Sequence, residues 1–383
     1  MILQGKKKYI FGGIVVAVLS SLLTVIALVL LLNLNVQKTV DLVRFFATKR
    51  FIESQYVDSV DDVKLMDGAI SGMVKALGDP HSLYLDPSMY RKLQDHTSGS
   101  FGGIGVVMGF KDHKVTVMSV MDGTPGQAAG IQPEDEIVAV DGVLSRDIEP
   151  EDVAMRIRGE IGTEVVLRIR RQGEEDKDYT IQRSSIHLRT AAEEMLPEGI
   201  GYIRIASFSE KTGQEFRESY DRLEEQGMRG LIIDLRANPG GLITSCVEIA
   251  NMVVPLGPIV SVVQRDGTRE EHDSKLVKSK YPIVVLIDGN SASASEILAG
   301  ALQDTKAATL VGTQSYGKGS VQVVIPMNEG DALKLTIAKY YTPSGRSIDG
   351  VGIEPDVKVD MDPKAQQDVQ LAKAIEVMQG KLQ

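Results

Sequence analysis

Two short apolar runs constrain this chain more than anything else in it. Each ends in a turn of glycines and small residues, and each is followed by apolar residues at helical spacing. Leu231-Ile232-Ile233-Asp234-Leu235 leads into Arg236-Ala237-Asn238-Pro239-Gly240-Gly241, after which Ile243, Val247, Ile249, Ala250 and Val253 mark a helix. Ile283-Val284-Val285-Leu286-Ile287-Asp288 leads into Gly289-Asn290 and a run of serines, after which Ile297, Leu298, Ala301 and Leu302 mark another. Strands apolar at nearly every position are buried on both faces, as in a parallel sheet covered by helices. The chain is therefore expected to be α/β. Two such units side by side bring two helix N-termini near one point.

The second junction, Ser291-Ala292-Ser293-Ala294-Ser295-Glu296, places hydroxyls where free N–H groups and the positive end of a helix dipole collect. An oxyanion forming on a carbonyl attacked by Ser293 could use the Ala294 N–H, and Gly240 or Gly241 could give a second donor. Serines at a helix start also serve as caps, and one of the three must cap in any case.

Gly317-Lys318-Gly319-Ser320-Val321-Gln322 supplies a base. Val321, Val323 and Ile325 read as a strand, and extended chain would aim Lys318 and Gln322 the same way. A glutamine amide can accept a hydrogen bond from lysine and hold it in place. A lysine base must be neutral near pH 7, although free lysine has a pKa of about 10.4. Burial has to lower it by several units, and no acid adjoins Lys318 to oppose that. A serine nucleophile with a lysine base needs no histidine. The overlapping run from Gly312 to Lys318 nearly spells a phosphate-binding P-loop. Gly319 stands where Ser or Thr should hold magnesium, and a strand follows where a helix should, so nucleotide binding is not expected.

At these residues the chain resembles the carboxy-terminal processing peptidases, or tail-specific proteases. The matching blocks are Leu-Arg-Ala-Asn-Pro-Gly-Gly (235–241), Ser-Ala-Ser-Ala-Ser-Glu-Ile (291–297), Leu-Gln-Asp (302–304), Gly-Lys-Gly-Ser-Val-Gln (317–322), Tyr-Thr-Pro-Ser-Gly-Arg (341–346) and Gly-Ile-Glu-Pro-Asp (352–356). The resemblance implies a ClpP/crotonase-like protease core with Ser293 as nucleophile, Lys318 as general base and Gln322 orienting the lysine. Ser291 and Ser295 would be structural. Asp304 matches an acid that supports the site in some members, though after the helix it could simply be solvated.

Between Ser98 and Arg183, short alternating segments and glycine turns resemble a bacterial PDZ domain. Such a domain adds a peptide C-terminus as a strand. The loop Gly102-Gly103-Ile104-Gly105 would offer N–H groups to the terminal carboxylate. Arg158 matches the place where relatives carry an arginine coupling the PDZ domain to the active site.

Lys6-Lys7-Lys8 precedes a nearly uncharged run, Tyr9 to Leu34, long enough to cross a bilayer and lacking a small-residue cleavage site. The expectation is an uncleaved single-pass anchor in the cell membrane, with the catalytic part outside. A net charge of −10 argues against nucleic acid. The single cysteine, Cys246, sits in an apolar helical pattern, and the five histidines are scattered without metal-ligand spacing, so no metal or other cofactor is expected. Val40 to Leu93 reads as mostly helical. In relatives the helical N-terminal region and the C-terminal segment build a dimer, so a homodimer is implied.

The expected organisation is a cytoplasmic tip and transmembrane anchor (1–35), a helical N-terminal region (36–97), a β-rich PDZ domain (98–184), a serine peptidase core (185–365) and a C-terminal helix (366–383). The expected function is a membrane-anchored serine endopeptidase that cleaves protein or peptide substrates recognised by a free C-terminus. A catalytically inactive PDZ scaffold is the first alternative and an ATP-dependent machine the second.

Overall fold

Every residue of the two central strands is buried, and successive side chains go to opposite faces of the sheet. Ile283, Val285 and Ile287 share one apolar cluster with Leu231, Ile233 and Leu235, whereas Val284 and Leu286 share another with Ile232 and Val311. The computed structural model describes residues 16, 18–21, 23, 24 and 36–383, apart from 112–113, 328–329 and 362–366. The chain divides into two units, Met1–Gly78 and Asp79–Gln383.

The first unit holds the helices Val36–Gln55 and Asp62–Lys75. The second of these is capped by Asp61, whose side chain accepts from the N–H groups of Val63 and Lys64. The expected transmembrane helix is corrected here. Among the described residues no helix is long and apolar enough to cross a membrane. Most of the run 9–34 on which that expectation rested, and the basic cluster before it, lie outside the described residues.

In the second unit a six-stranded sheet runs Ala191–Leu196, Ile200–Ile205, Gly230–Asp234, Ile283–Ile287, Ala308–Gly312, Val357–Lys358 in spatial order. Its first pair is antiparallel and the rest are parallel. The helices Thr212–Glu225, Ile243–Val253 and Ala294–Asp304 contribute Phe216, Ile249 and Leu298 to one cluster. The C-terminal helix Val369–Leu382 covers the opposite face through Ala374 and Met378. The sequential strand–turn–helix units thus do pair as neighbours in a parallel sheet.

A second, antiparallel sheet is built on the long strand Ala332–Tyr341. It pairs with Leu83–Leu85, Ser320–Pro326 and Gly257–Gln264, and the last of these pairs with Arg269–Ser274. The strand Leu83–Leu85 departs from the helical reading of 36–97. Three residues are too short to show a period, and long-range contacts decide instead: the Tyr84 hydroxyl donates to Asp331 Oδ2 at 2.8 Å.

The inserted β-rich segment has its own sheet and core. Val106–Lys111 lies at its edge, followed in space by Lys114–Val120, Glu136–Val140, Glu164–Arg170 and Lys177–Gln182. Ile104, Val117, Ile137, Val153, Leu167 and Ile181 are buried together. The chain enters and leaves through an antiparallel ribbon, Ser100–Gly103 against Ser184–His187.

Candidate active site

Ser293 is the N-cap of the helix Ala294–Asp304, with φ +55° and ψ −116°. A non-glycine residue at positive φ costs about 1–3 kcal/mol and persists only where its surroundings impose it. Here they do. Ser291 Oγ donates to the Leu235 carbonyl at 2.8 Å, Ser295 Oγ donates to the Asn238 carbonyl at 3.0 Å, and the Ala292 N–H donates to that same carbonyl at 3.0 Å. The flanking serines thus lash the turn to its neighbour Asn238-Pro239-Gly240-Gly241, and Ser293 alone of the three turns toward the cleft.

That neighbouring turn must be glycine for space as well as angle. A Cβ on Gly240 would lie 2.6 Å from the Ala292 oxygen and 2.8 Å from Ser293 Cβ; one on Gly241 would lie 2.1 Å from the Phe208 oxygen. Of the expected oxyanion donors, Gly240 is corrected: its N–H is committed to Asn238 Oδ1 at 2.8 Å. The N–H groups of Gly241 and Ala294 make no hydrogen bond among the described residues.

Glu296 is the residue that sequence reasoning passed over. It is fully buried, and its carboxylate takes four donors. The N–H of Ser293 at 2.8 Å and of Lys318 at 2.9 Å reach Oε2; the N–H of Gly317 and the Ser315 hydroxyl, both at 2.6 Å, reach Oε1. One carboxylate therefore ties the serine turn to the lysine loop. The spacing Ser293-x-x-Glu296 is a capping-box signature and was available as a signal. The same bonds explain the near P-loop: its anion-seeking N–H groups are turned onto a carboxylate of the chain itself.

Lys318 lies just before the strand Ser320–Pro326. Its ammonium makes no hydrogen bond or ion pair among the described residues. Burial pushes its pKa below the usual 10.5 and the charge of Lys334 adds to this, while Glu296 and Asp79 oppose it. The Tyr340 hydroxyl donates to the Lys318 carbonyl.

Gln322 lines the same cleft but is not bonded to Lys318. Its amide NH₂ donates to Ser320 Oγ at 2.9 Å and Thr336 Oγ1 at 3.2 Å. Thr336 in turn lies beside the Asp79 carboxylate, which accepts from the His81 N–H at 3.0 Å and the Ser82 hydroxyl at 2.6 Å. Burial works against that carboxylate, but the Ser82 and Thr336 side chains and the His81 N–H outweigh it and hold its pKa at about 2. The Ser320 and Thr336 hydroxyl oxygens both accept from the Gln322 NH₂. This fixes the amide and leaves its carbonyl oxygen for the cleft.

The cleft has a volume of about 360 Å³, and Ser293, Lys318, Gln322, Gly241 and Lys334 are among the residues lining it. Asp304 is not solvated. It accepts from the Ser344 N–H at 3.0 Å and hydroxyl at 2.7 Å and pairs with Arg346, anchoring the 341–346 block to the helix end. Cys246 is buried with its thiol pKa pushed up by burial, as a core residue.

The expected carboxylate loop is differently made. Gly102 and Gly103 belong to the strand Ser100–Gly103 and pair with Ser185 and Ser184. Gly102 is glycine because a Cβ would strike the Gly159 oxygen at 2.0 Å. Ile104 is buried, and Gly105, at φ +77°, directly precedes the edge strand Val106–Lys111. Arg158 caps the helix Pro150–Ile157, with its guanidinium 4.1 Å above the Phe101 ring.

Comparison with known sequences matches residues 199–359 to Peptidase family S41, residues 116–171 to the PDZ domain and residues 33–88 to the activating protease CtpB N-terminal domain. The chain is 38% identical to the carboxy-terminal processing protease CtpB of Bacillus subtilis over 80% of its own length, and spans 65% of that relative. It is 40% identical to a carboxy-terminal-processing protease of Bartonella bacilliformis, over 83% of this chain and 75% of that one. A solved photosystem II D1 C-terminal processing protease is similar at 29% identity with a TM-score of 0.49, covering 87% of this chain and 90% of that one.

Proposed function

The chain belongs to the carboxy-terminal processing proteases of peptidase family S41, and on that premise we propose that it is a serine endopeptidase acting through Ser293, Lys318 and Gln322. The observation that carries this reading is their convergence on one cleft lined also by Gly241, with the N–H groups of Gly241 and of Ala294, next to Ser293, left without a partner among the described residues. Neutral Lys318 takes the Ser293 proton as Oγ attacks a peptide carbonyl, and the two N–H groups hold the oxyanion. The lysine ammonium then protonates the leaving amine. Water, deprotonated by the same lysine, opens the acyl-enzyme and restores the serine. Gln322 Oε1, aimed by Thr336, accepts from the ammonium when it forms. Burial favours the neutral lysine with which the cycle begins.

The PDZ segment selects substrates by their C-terminal ends in this proposal. Its edge strand Val106–Lys111 has no strand partner on its outer side among the described residues, which suits addition of an extended peptide. Gly105 and the adjoining backbone would hold the terminal carboxylate, and Arg158 would couple that binding to the cleft. The test is digestion of an unstructured protein, with products mapped by mass spectrometry. Internal cuts by the wild-type protein and none by Ser293→Ala are expected. Equal digestion by both would sink the reading.

A further inference from the structure

Lys334 is a second ammonium in the cleft, and no step of the proposed reaction uses it. It lies on the strand Ala332–Tyr341, paired with Val324 on one side and Leu83 on the other, and it lines the same cleft as Ser293 and Lys318. Among the described residues it makes no hydrogen bond or ion pair. Lys339 on the same strand shows the contrast: it is paired with Asp349 Oδ2 at 3.0 Å.

The walls have no anion to spare for it. Glu296 and Asp79 are the two acids whose charge reaches Lys318. Glu296 is saturated by four donors. Asp79 is taken by Ser82 and the His81 N–H. Besides the two lysines, the titratable groups in the lining are His96, which can only add positive charge, and Tyr340, whose phenol burial holds in its neutral form. A partly buried ammonium without a counter-ion is costly, and an aliphatic side chain would fill the space at less cost. Burial accordingly pushes the pKa of Lys334 down. Such a group is explained if the missing anion arrives with the ligand.

We propose that Lys334 forms an anion subsite of the catalytic cleft that takes a carboxylate of the peptide substrate. This rests on the endopeptidase reading. The carboxylate could be an acidic side chain near the scissile bond or the terminal carboxylate of a short peptide, and the chemistry at the ammonium is the same.

The test uses one cleavable peptide in neutral form, with a single Glu walked through the residues flanking the scissile bond, and with a free or amidated C-terminus. Each is assayed with wild type, Lys334→Met and Lys334→Arg on the alkaline plateau, where Lys318 is neutral. Melting curves check that the variants fold. Wild type should favour one carboxylate form by roughly tenfold in kcat/KM, the scale of one charge-assisted hydrogen bond. The methionine variant should lose that preference and the arginine variant should keep it. A preference tied to Glu position names a side chain; one tied to the free terminus and abolished in Lys334→Met names the C-terminus. A terminal preference that survives in Lys334→Met belongs to the PDZ segment and overturns the subsite. So does an unchanged Glu preference, even if removing the like charge moves the pH profile of the neutral peptide upward. Cleavage of the neutral peptide by wild type keeps the endopeptidase reading standing when the subsite fails; if no form is cleaved, both fall together.

Discussion

The two sheets that meet at the cleft contribute to it on different terms. The parallel sheet delivers Ser293 and the N–H groups of Gly241 and Ala294 on turns fixed from every side, ahead of a helix whose first nine residues are all buried. The antiparallel sheet brings Gln322, Thr336 and Lys334 on half-buried strands, and Lys318 on the loop before one of them. The first arrangement fixes geometry and the second sets charge. The proposed nucleophile needs an unvarying approach, and strain at Ser293 is imposed by packing. The proposed lysine base needs an adjustable pKa, and Lys318 stands where burial lowers it and Lys334, Glu296 and Asp79 trim the result. Glu296 belongs to the rigid side and bonds across to the tunable one.

The sharpest way to break this division is at the serine. Ser293→Ala should cost several orders of magnitude in kcat with an unchanged melting temperature. If Ser291→Ala or Ser295→Ala abolishes turnover and Ser293→Ala does not, the assignment of roles within the turn is wrong. Those two variants should instead lower stability, because each removes one of the two donors to a buried carbonyl and loosens the tie between the turns.

Lys318→Ala should be as damaging as loss of the serine, since the pair acts as one unit. Lys318→Arg should not rescue, because a guanidinium does not deprotonate. In the wild type, kcat/KM should rise with pH through a pKa below the usual 10.5, since the neutral amine is the active form. Wild-type turnover in the arginine variant would remove the lysine-base mechanism.

The bridge between the two sides comes next. Glu296→Gln keeps the shape but turns an acceptor of four donors into one that also presents an NH₂. A fall of roughly 100-fold in kcat with a small change in KM is expected, the scale of a lost positioning group. Glu296 raises the Lys318 pKa, so its neutralisation should move the pH–rate profile to lower pH. A profile moved upward, or a KM effect alone, would show that Glu296 only caps the helix.

Smallest is the amide relay. Thr336→Val frees the Gln322 amide to rotate and should cost about tenfold, similar to Gln322→Ala, with the double variant no worse than either. Additive losses in that cycle would mean that Thr336 does not act through Gln322.

The rigid side was the more legible in sequence. Ile283–Ile287 and Ile297–Leu302 announce a buried strand and helix because packing on both faces dictates every residue. Lys318 and Gln322 were legible as types, but their partners were not. Thr336 and Asp79 come from distant segments, and the strand Leu83–Leu85 that flanks Asp79 has no period of its own. Glu296 reads in sequence as an ordinary first-turn acid; that it is buried follows only once the lysine loop folds over it. Gly240 and Gly241 look alike, and only the Asn238 side chain decides which keeps a free N–H. Gly102 and Gly103 read as a ligand loop but serve the ribbon through which the PDZ segment joins the core.

The central claim, a serine nucleophile activated by a buried lysine, is tested most directly by labelling with a fluorophosphonate across a pH series and mapping the adduct by mass spectrometry. A single adduct on Ser293 is predicted, forming faster as pH rises through the depressed Lys318 pKa and failing to form in Lys318→Arg. An adduct on another serine, or labelling of Ser293 that persists at full rate in the arginine variant, would contradict it.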